Sequence, residues 1–363
     1  MRNTFGNNIS VTLFGESHGD AIGAVLDGLG AGIRIDIDNV EKRLAQRRPH
    51  GAISTARHEA DTPIFLSGVR DGVTTGTPIT VIFENRDTRS RDYSMFKDTP
   101  RPSHADYVAA VKYGGHQDER GGGHFSARLT APIVAVGAIL ESVLADKGIR
   151  IGTHIKSLHG VSDRDFSSYN DDIKTLSDKL FPVLDGEAEK RMTDEILAAA
   201  SLGDSVGGVL ECAAVGVPAG VGEPWFDSLE STLSHLLFSI PGIKGVEFGL
   251  GFGFADKFGS EANDSFVTDG KSVFTETNNN GGINGGISNG MPIVFRVAVR
   301  PTPSIYKEQN TVSLSRMENT VLKITGRHDP AIIHRARAVV DAVTAIALAD
   351  ALVTAHGTSY FGG

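Results

Sequence analysis

The chain has 363 residues, of which 40% are hydrophobic and 22% are charged, a balance typical of globular proteins rather than disordered ones. Its 44 acidic residues outnumber its 35 basic ones, and the formal net charge of −9 argues against a general nucleic-acid binder, whose surface would be basic. The single cysteine, Cys212, excludes an internal disulfide framework and suits a reducing compartment. The first residues lack the apolar stretch of a signal peptide, so we expect a cytoplasmic protein.

Hydrophobic spacing predicts a mixture of strands and helices, and hence an α/β or α+β protein without a clear domain boundary. In chain order we predict strands at 9–14 and 21–27, a helix at 39–46, a strand at 78–84, a helix at 128–144, a strand at 206–217, a helix at 226–238, a strand at 291–299 and a buried helix at 331–355. Asp38 is the expected cap of the first helix, and Ser103 is the expected cap of a helix with Asp106 in its first turn. Asp341 and Asp350 interrupt the last helix and argue against a transmembrane span.

Two polar stretches are expected to lack regular structure: residues 160–190, and the Gly/Asn-rich loop 278–290. Charge is also uneven along the chain. Residues 41–128 carry 14 Lys and Arg against 11 Asp and Glu, and they include five of the twelve histidines. This window is either a solvated surface or a pocket for a small polyanion, whose oxygens arginine matches well.

Residues Gly15–Gly19 (GESHG) follow the first predicted strand and match G-x-S-x-G, the nucleophile elbow of serine hydrolases. That elbow requires a helix after the turn, whereas the residues here predict a second strand. A hydrolase that uses Ser17 is therefore one alternative. His18, between small residues, is a candidate proton donor or acceptor near neutral pH.

Further along, Arg47-Arg48-Pro49 ends the first predicted helix and could either balance the helix dipole or bind an anion. Gly121–Arg128 (GGGHFSAR) opens the long predicted helix, where free N–H groups favour phosphate. It is neither a Walker A loop nor a dinucleotide fingerprint. The spacings of the histidines match no standard metal site, so we predict none.

Taken together and in this order, these segments resemble the chorismate synthase family. The matching segments are Gly15–Gly19, Arg47–Pro49, Thr74–Pro78 (TTGTP), Arg101–Tyr107 (RPSHADY), Gly121–Arg128, Gly203–Gly208 (GDSVGG), Gly281–Gly290, Pro301–Ser304 and Gly326–Pro330 (GRHDP). They are spread over nearly the whole chain, and only about 155–200 is too variable to match. Several are long enough to make accidental similarity implausible.

The resemblance implies an α+β fold, a single large β-α-β sandwich domain over 1–363, assembled as a homotetramer without nucleic-acid or membrane partners. It implies a phosphate-eliminating lyase of the shikimate pathway to aromatic amino acids. The expected reaction converts 5-enolpyruvylshikimate-3-phosphate to chorismate and phosphate by anti-1,4-elimination, with reduced FMN (FMNH2) as cofactor. NADPH is expected at most as a reductant of that flavin.

The resemblance also implies roles for individual residues. The expected catalytic residues are His18, which protonates the leaving phosphate, His104, near N1 of the flavin, and Asp329, which works with flavin N5 on the ring proton. The expected substrate-binding residues are Ser17, Arg47, Arg48, Arg57 and Arg128. The expected cofactor-binding residues are His124, Phe125, Ser126, Gly242, Gly285, Arg300, Pro301, Thr302, Pro303, Ser304 and Arg327.

The chain departs from the family pattern at three places. His124, Phe125 and Leu129 replace an arginine, a serine and a glutamate of the glycine-rich segment. The arginines that commonly follow Arg-Arg-Pro are missing until Arg57, and Pro303 stands where serine is common. These departures leave a second alternative, a flavin- or phosphate-binding module without catalysis.

Overall fold

The structure is a computed structural model that describes residues 2–54, 61–85, 95–326 and 328–362. Its strands are β1 (Thr4–Phe5), β2 (Ser10–Gly15), β3 (Ala21–Asp27), β4 (Ala31–Arg34), β5 (Ile64–Ser67), β6 (Val69–Arg70), β7 (Val73–Thr75), β8 (Ile79–Glu84), β9 (Arg150–Leu158), β10 (Val161–Ser162), β11 (Gly208–Val215), β12 (Ile243–Phe248), β13 (Phe266–Thr268), β14 (Val273–Thr275), β15 (Ile283–Asn284), β16 (Ile287–Ser288), β17 (Ile293–Val299), β18 (Gln309–Ser313) and β19 (Glu318–Leu322). Its α-helices are α1 (Ile37–Arg47), α2 (Asp106–Tyr113), α3 (Thr130–Asp146), α4 (Tyr169–Ser177), α5 (Gly186–Ser201), α6 (Leu229–Leu237), α7 (Gly259–Ala262) and α8 (Ile333–His356).

Two five-stranded antiparallel sheets form the outer layers of the fold. The first has the strand order β1-β2-β3-β8-β5, and the second has the order β10-β9-β11-β17-β12. In the internal strand β8 the buried and less buried residues alternate, because one face of an antiparallel sheet packs on the core while the other remains accessible. All five predicted strands are present, as β2, β3, β8, β11 and β17.

Two long apolar helices, α3 and α8, lie between the sheets, with α3 against β3 and β8 and α8 against β9 and β11. Both are apolar around most of their circumference, which is the pattern of a helix buried on all sides. At their contact Gly137 packs directly on Ala342, and any larger residue at 137 would push the helices apart. The predicted β-α-β sandwich is confirmed.

The two central helices are also long and apolar enough to cross a bilayer. Within the described residues, 72% of the apolar window in Ala127–Asp146 and 83% of that in Ile333–His356 is buried inside the protein. Their apolar surface is therefore accounted for by the contacts between the two sheets.

Four local predictions are wrong. The Gly/Asn-rich stretch 278–290 is not without regular structure, since it contains the hairpin of β15 and β16. Residues 160–190 are not irregular: they contain β10, α4 and the start of α5, and α4 packs on the second sheet through Ile173. Helix α1 is capped by Asp36 rather than Asp38, since the Asp36 carboxylate accepts the N–H of Asn39. Ser103 does not cap α2; it has a positive φ of 58°, and α2 begins at Asp106.

Candidate active site

The turn that carries Ser17 and His18 joins β2 to β3, so it is strand–turn–strand and not the strand–turn–helix of a nucleophile elbow. Both side chains are almost fully buried, with 4% and 6% of their surface exposed. The hydroxyl of Ser17 lies within donating distance of the backbone carbonyls of Arg120 and Gly121, at 3.2 and 3.0 Å. A serine that donates to backbone carbonyls is held as a structural donor, which argues against the hydrolase alternative.

The glycines of the segment 121–123 all have positive φ, and they pack between two histidines. A Cβ at position 121 would lie 2.5 Å from Nε2 of His18, and one at position 122 would lie 3.7 Å from Nε2 of His104. Only glycine combines this backbone conformation with so close an approach to His18. The loop therefore brings His18 and His104, which are 86 residues apart in sequence, to its two sides.

On its other side, His104 contacts a buried ion pair. Its Nδ1 lies 2.7 Å from Oδ1 of Asp106, and Arg101 binds both oxygens of the same carboxylate at 2.8 Å. Burial disfavours the charged form of Asp106, but hydrogen bonds from Arg101 and His104 outweigh it and hold the pKa of Asp106 well below its usual range. Asp106 is thus ionised at neutral pH.

Beyond the glycines, the chain reaches a cluster of arginines around Asp61. One carboxylate oxygen of Asp61 accepts a hydrogen bond from Nη1 of Arg47 at 2.8 Å, and the other accepts one from Nη1 of Arg128. The backbone carbonyl of Asp61 accepts a hydrogen bond from Nη2 of Arg48 at 3.0 Å. The side chains of Arg47, Arg128 and Asp61 are 6%, 6% and 1% exposed. Sequence reasoning found the three arginines but missed Asp61, because only the fold brings it to them.

Asp329 joins this cluster through the first turn of α8. Arg335 donates to Oδ2 of Asp329 at 2.8 Å and to the backbone carbonyl of Arg47 at 2.9 Å. Asp329, Ser126 and the arginines Arg47, Arg128 and Arg335 line a cavity of about 200 Å³ with Asp61. Of the expected substrate-binding and acid–base residues, Arg47, Arg128 and Asp329 line this cavity, whereas His18 and His104 lie outside its lining.

Asn85 links the cavity to the turn that bears His18, and it is a second residue that sequence reasoning missed. Its amide nitrogen donates to the carbonyls of Glu16 and Gly19 at 3.0 and 2.9 Å, and its oxygen accepts Nε of Arg128 at 3.2 Å. A change at Arg128 is thereby coupled to the position of the turn.

The expected cofactor residues fall into two groups. Residues of the first group border the histidines. Nη1 of Arg300 donates to the carbonyl of Ser103 at 2.7 Å, and the backbone N–H of Arg300 donates to the carbonyl of Gly242 at 2.9 Å. Pro301–Ser304 follow directly, and the carbonyl of Thr302 accepts the hydroxyl of Ser205. His124 donates from Nδ1 to the carbonyl of Gly15 at 2.8 Å, so this departure from the family pattern holds the end of β2.

Phe125 and Ser126 continue the first group. Phe125 packs edge-on against Tyr113 and is 38% exposed. Ser126 caps the 3-10 helix Ala127–Leu129 by accepting the N–H of Arg128. Arg57 and Arg327 lie outside the described residues.

Gly285 stands apart from this group. It forms a two-residue turn between β15 and β16 with Gly286, whose carbonyl accepts the N–H of Leu229 at the start of α6. Strand β17 runs from the neighbourhood of this hairpin to Arg300, and seven residues of strand span roughly 24 Å. Within one chain, the hairpin of Gly285 therefore adjoins the end of β17 opposite to Arg300.

Comparison with known proteins gives one consistent result. A family model described as chorismate synthase matches residues 9–353. A chorismate synthase of Pyrococcus abyssi is 48% identical over 348 residues, which cover 96% of this chain and 97% of that protein. One of Methanobrevibacter smithii is 44% identical over 356 residues, covering 97% of each. A crystal structure of chorismate synthase matches with a TM-score of 0.75 and 30% identity, over 96% of this chain and 93% of that one.

Proposed function

The chain belongs to the chorismate synthase family and is a lyase of aromatic amino-acid biosynthesis, and we propose that it acts in the cytoplasm on 5-enolpyruvylshikimate-3-phosphate. The proposed products are chorismate and inorganic phosphate, formed by anti-1,4-elimination in the presence of reduced FMN. One observation carries the proposal: the 121–123 glycine loop lies between His18 and His104 and leads into the arginine-lined cavity that contains Asp329.

The charge of the cavity suits this substrate, which carries one phosphate and two carboxylates. Three arginines (Arg47, Arg128 and Arg335) face two aspartates (Asp61 and Asp329) around it, so its walls carry a formal charge of +1. Planar guanidinium groups bind such oxyanions through paired hydrogen bonds. Because Asp61 and Arg335 already hold these groups in place, little side-chain entropy remains to be lost when the substrate binds.

The reaction breaks the C–O bond to phosphate and one ring C–H bond, shifts the ring double bond and forms a second one. In our proposal His18 donates a proton to the departing phosphate, which neutralises the charge that develops there. In the same proposal Asp329, which Arg335 holds in orientation, takes part in removal of the ring proton. Ser17, which shares the turn with His18, fixes that turn to the glycine loop.

The residues near His104 fit a flavin. Oγ1 of Thr302 and Nε2 of His328 are buried and have no hydrogen-bond partner within the described part of the chain, as expected of groups that a ligand satisfies. Gly122 lies at the edge of the His104 ring, where a Cβ would be in van der Waals contact with Cε1 at 3.5 Å and Nε2 at 3.7 Å. Together with Gly242 and Arg300–Ser304 these residues would hold FMN. When bound, reduced FMN supplies electron density that eases the loss of phosphate without net redox change.

We also propose a homotetramer, because within one chain the hairpin of Gly285 adjoins the end of β17 opposite to Arg300. A second copy could bring its Gly285 hairpin to the site. Next to that hairpin, the 3-10 helix Trp225–Asp227 exposes 84% of Trp225 and 93% of Phe226. Neighbouring exposed aromatic side chains of this kind are typical of a surface that another chain covers.

The proposal is tested by an anaerobic assay that follows chorismate by its absorbance. We expect product from the phosphorylated substrate with chemically reduced FMN and none with oxidised FMN. NADPH in place of the chemical reductant should support turnover only if the protein uses it to reduce FMN. Binding of substrate and FMN without product would instead support the non-catalytic module.

His18→Ala tests the proton donor in the same assay. Because the substitution removes general-acid catalysis, we expect kcat to fall by roughly 100-fold or more while the protein remains folded. His235→Ala is a matched control, since His235 lies on α6 next to Phe5 and away from the glycine loop. Full activity of His18→Ala would contradict the assignment.

A further inference from the structure

The carboxylate of Asp106 accepts four hydrogen bonds, two at each oxygen, and the two oxygens differ in which residues donate to them. Oδ2 accepts only from Arg101, through the backbone N–H at 3.0 Å and Nε at 2.8 Å. Oδ1 is shared between Nη2 of Arg101 at 2.8 Å and Nδ1 of His104 at 2.7 Å. Asp106 and Arg101 are both largely buried, with 11% and 6% of their side chains exposed.

The short contact decides which ring nitrogen of His104 carries the proton. Nδ1 also lies 3.0 Å from Nη2 of Arg101, so it could accept from the guanidinium instead of donating to the carboxylate. An unprotonated Nδ1 at 2.7 Å from an ionised oxygen would place two lone pairs against each other, which is unfavourable. A protonated Nδ1 donates to Oδ1, and Nη2 keeps its own bond to that oxygen.

We propose that Asp106, held by Arg101, is a positioning residue that fixes His104 as the Nδ1–H tautomer and turns Nε2 towards the glycine loop. A Cβ at position 122 would lie 3.7 Å from that nitrogen, so the edge of the ring that bears Nε2 lies against Gly122. No hydrogen bond of Nε2 is present within the described residues. It is the atom of His104 that remains for a ligand, and its role there rests on the proposed function.

Asp106 acts here through geometry more than through charge. Arg101 already compensates its negative charge with a bidentate pair, so the carboxylate has little net attraction left for a second cation. The 4.5 Å stacking of Arg101 on Phe96 keeps the guanidinium in that position. Arg300, which donates to the carbonyl of Ser103, fixes the backbone just before His104.

The substitution Asp106→Asn should reverse the tautomer while preserving the shape of the side chain. Asparagine has one carbonyl oxygen. We expect that oxygen to take the place of Oδ2, because two N–H groups of Arg101 donate there. The amide NH2 then faces His104 and donates to Nδ1, which moves the ring proton to Nε2. A carboxylate that holds a catalytic imidazole in one tautomer is known to be sensitive to this substitution.

The first test measures the tautomer directly in the ligand-free protein. Magic-angle-spinning NMR of full-length protein labelled with 15N-histidine, at alkaline pH where imidazole is neutral, distinguishes Nδ1–H from Nε2–H. The signal of His104 is identified by its loss in His104→Gln. We expect Nδ1–H in the wild type and Nε2–H in Asp106→Asn. An Nε2–H tautomer in the wild type overturns the proposal even if the variant does not fold.

The second test measures turnover with reduced FMN. We expect kcat of Asp106→Asn to fall by about 100-fold, with KM for the substrate little changed. Asp106→Glu should recover part of the loss, because it restores the acceptor. Asp98→Asn is the matched control: Asp98 accepts from Ser313 and Ser315 rather than from His104, and we expect wild-type kcat and tautomer.

The two tests separate the possible failures. A wild-type protein that forms no chorismate contradicts the proposed function but leaves the tautomer measurement valid. A wild type that is active, with Asp106→Asn equally active, contradicts the positioning role alone. A tautomer that reverses without any change in kcat also contradicts it, since Nε2 would then be irrelevant to turnover.

Discussion

Two groups of buried arginines and carboxylates adjoin the central helices, and they differ in charge balance. The first, which we name the core cluster, consists of Arg43, Glu141, Arg337 and Asp341. Arg43 donates to Glu141 at 2.7 Å and to Asp341 at 3.1 Å, and Arg337 donates to Asp341 at 3.1 Å. Two positive groups thus face two negative ones. Burial lowers the pKa of Arg337 to about 10 and raises that of Glu141.

The second, which we name the cavity cluster, consists of Arg47, Arg128 and Arg335 with Asp61 and Asp329. Its members are also mostly buried and hydrogen-bonded, but it has one more arginine than it has carboxylates, and it surrounds a cavity. A buried excess charge is costly unless a ligand or solvent compensates it. Charge balance, rather than burial, separates an ion network that holds the fold from one suited to bind an anion.

The largest expected effect comes from breaking the core cluster. Asp341→Ala leaves Arg43 and Arg337 without their shared carboxylate, and Thr153 also loses its acceptor at 2.6 Å. We expect the free energy of unfolding to fall by about 3–5 kcal/mol, measured by chemical denaturation. The exposed pair Lys42–Asp178 is the control, and Asp178→Ala should leave the denaturation midpoint unchanged. Equal midpoints for the two variants would contradict the distinction.

An intermediate effect is expected in the cavity cluster, and it should appear in binding. Arg128→Met removes one guanidinium from the substrate while Asp61 keeps its bond to Arg47. We expect the Kd of the substrate, measured by titration calorimetry, to rise about 10-fold, which corresponds to about 1.4 kcal/mol. Arg337→Met should instead lower stability and leave this Kd unchanged. If both variants weaken binding alike, charge balance does not separate the clusters.

The smallest effect concerns a third buried group, in which a histidine takes the place of the arginine. Nδ1 of His154 lies 2.8 Å from Asp163 and Nε2 lies 3.1 Å from Glu211. Burial alone would lower the pKa of His154, but the two carboxylates outweigh it and raise that pKa. Burial opposes ionisation of both carboxylates, yet their hydrogen bonds to His154 lower the pKa of each.

The sign of the pH dependence follows from these shifts. The stability that cationic His154 contributes is fully present below its unfolded pKa of about 6.5 and is lost as pH rises through the raised folded pKa. We expect the Tm difference between wild type and His154→Gln to shrink as pH rises through that range. The Tm difference for Asp341→Ala should not change over that range. The arginines of the core cluster keep their charge there, because the pKa of Arg337 is about 10. A constant Tm difference for His154→Gln would contradict the raised pKa.

Local sequence signals predicted the long elements well. The continuous apolar character of α3 and α8 and the alternation in β8 are properties of consecutive residues, so they can be read without the fold. Local spacing does not predict the regular structure of 160–190, because α4 has only a few apolar residues and its packing partner Ala213 lies in another part of the chain. Ser103 was misjudged because its positive φ belongs to the turn that orients His104.

Residue type, order and local spacing are enough to indicate the family, the sandwich fold and the candidate arginines and histidines. Which of these groups meet depends on the packing of the whole chain. Asp61, Asn85 and Arg335 carry no local signal, yet each contacts a candidate residue from a distant part of the chain. Ion pairing and tautomer choice depend on distances of a few tenths of an ångström, and such distances are set by the packing of the sheets and helices as a whole.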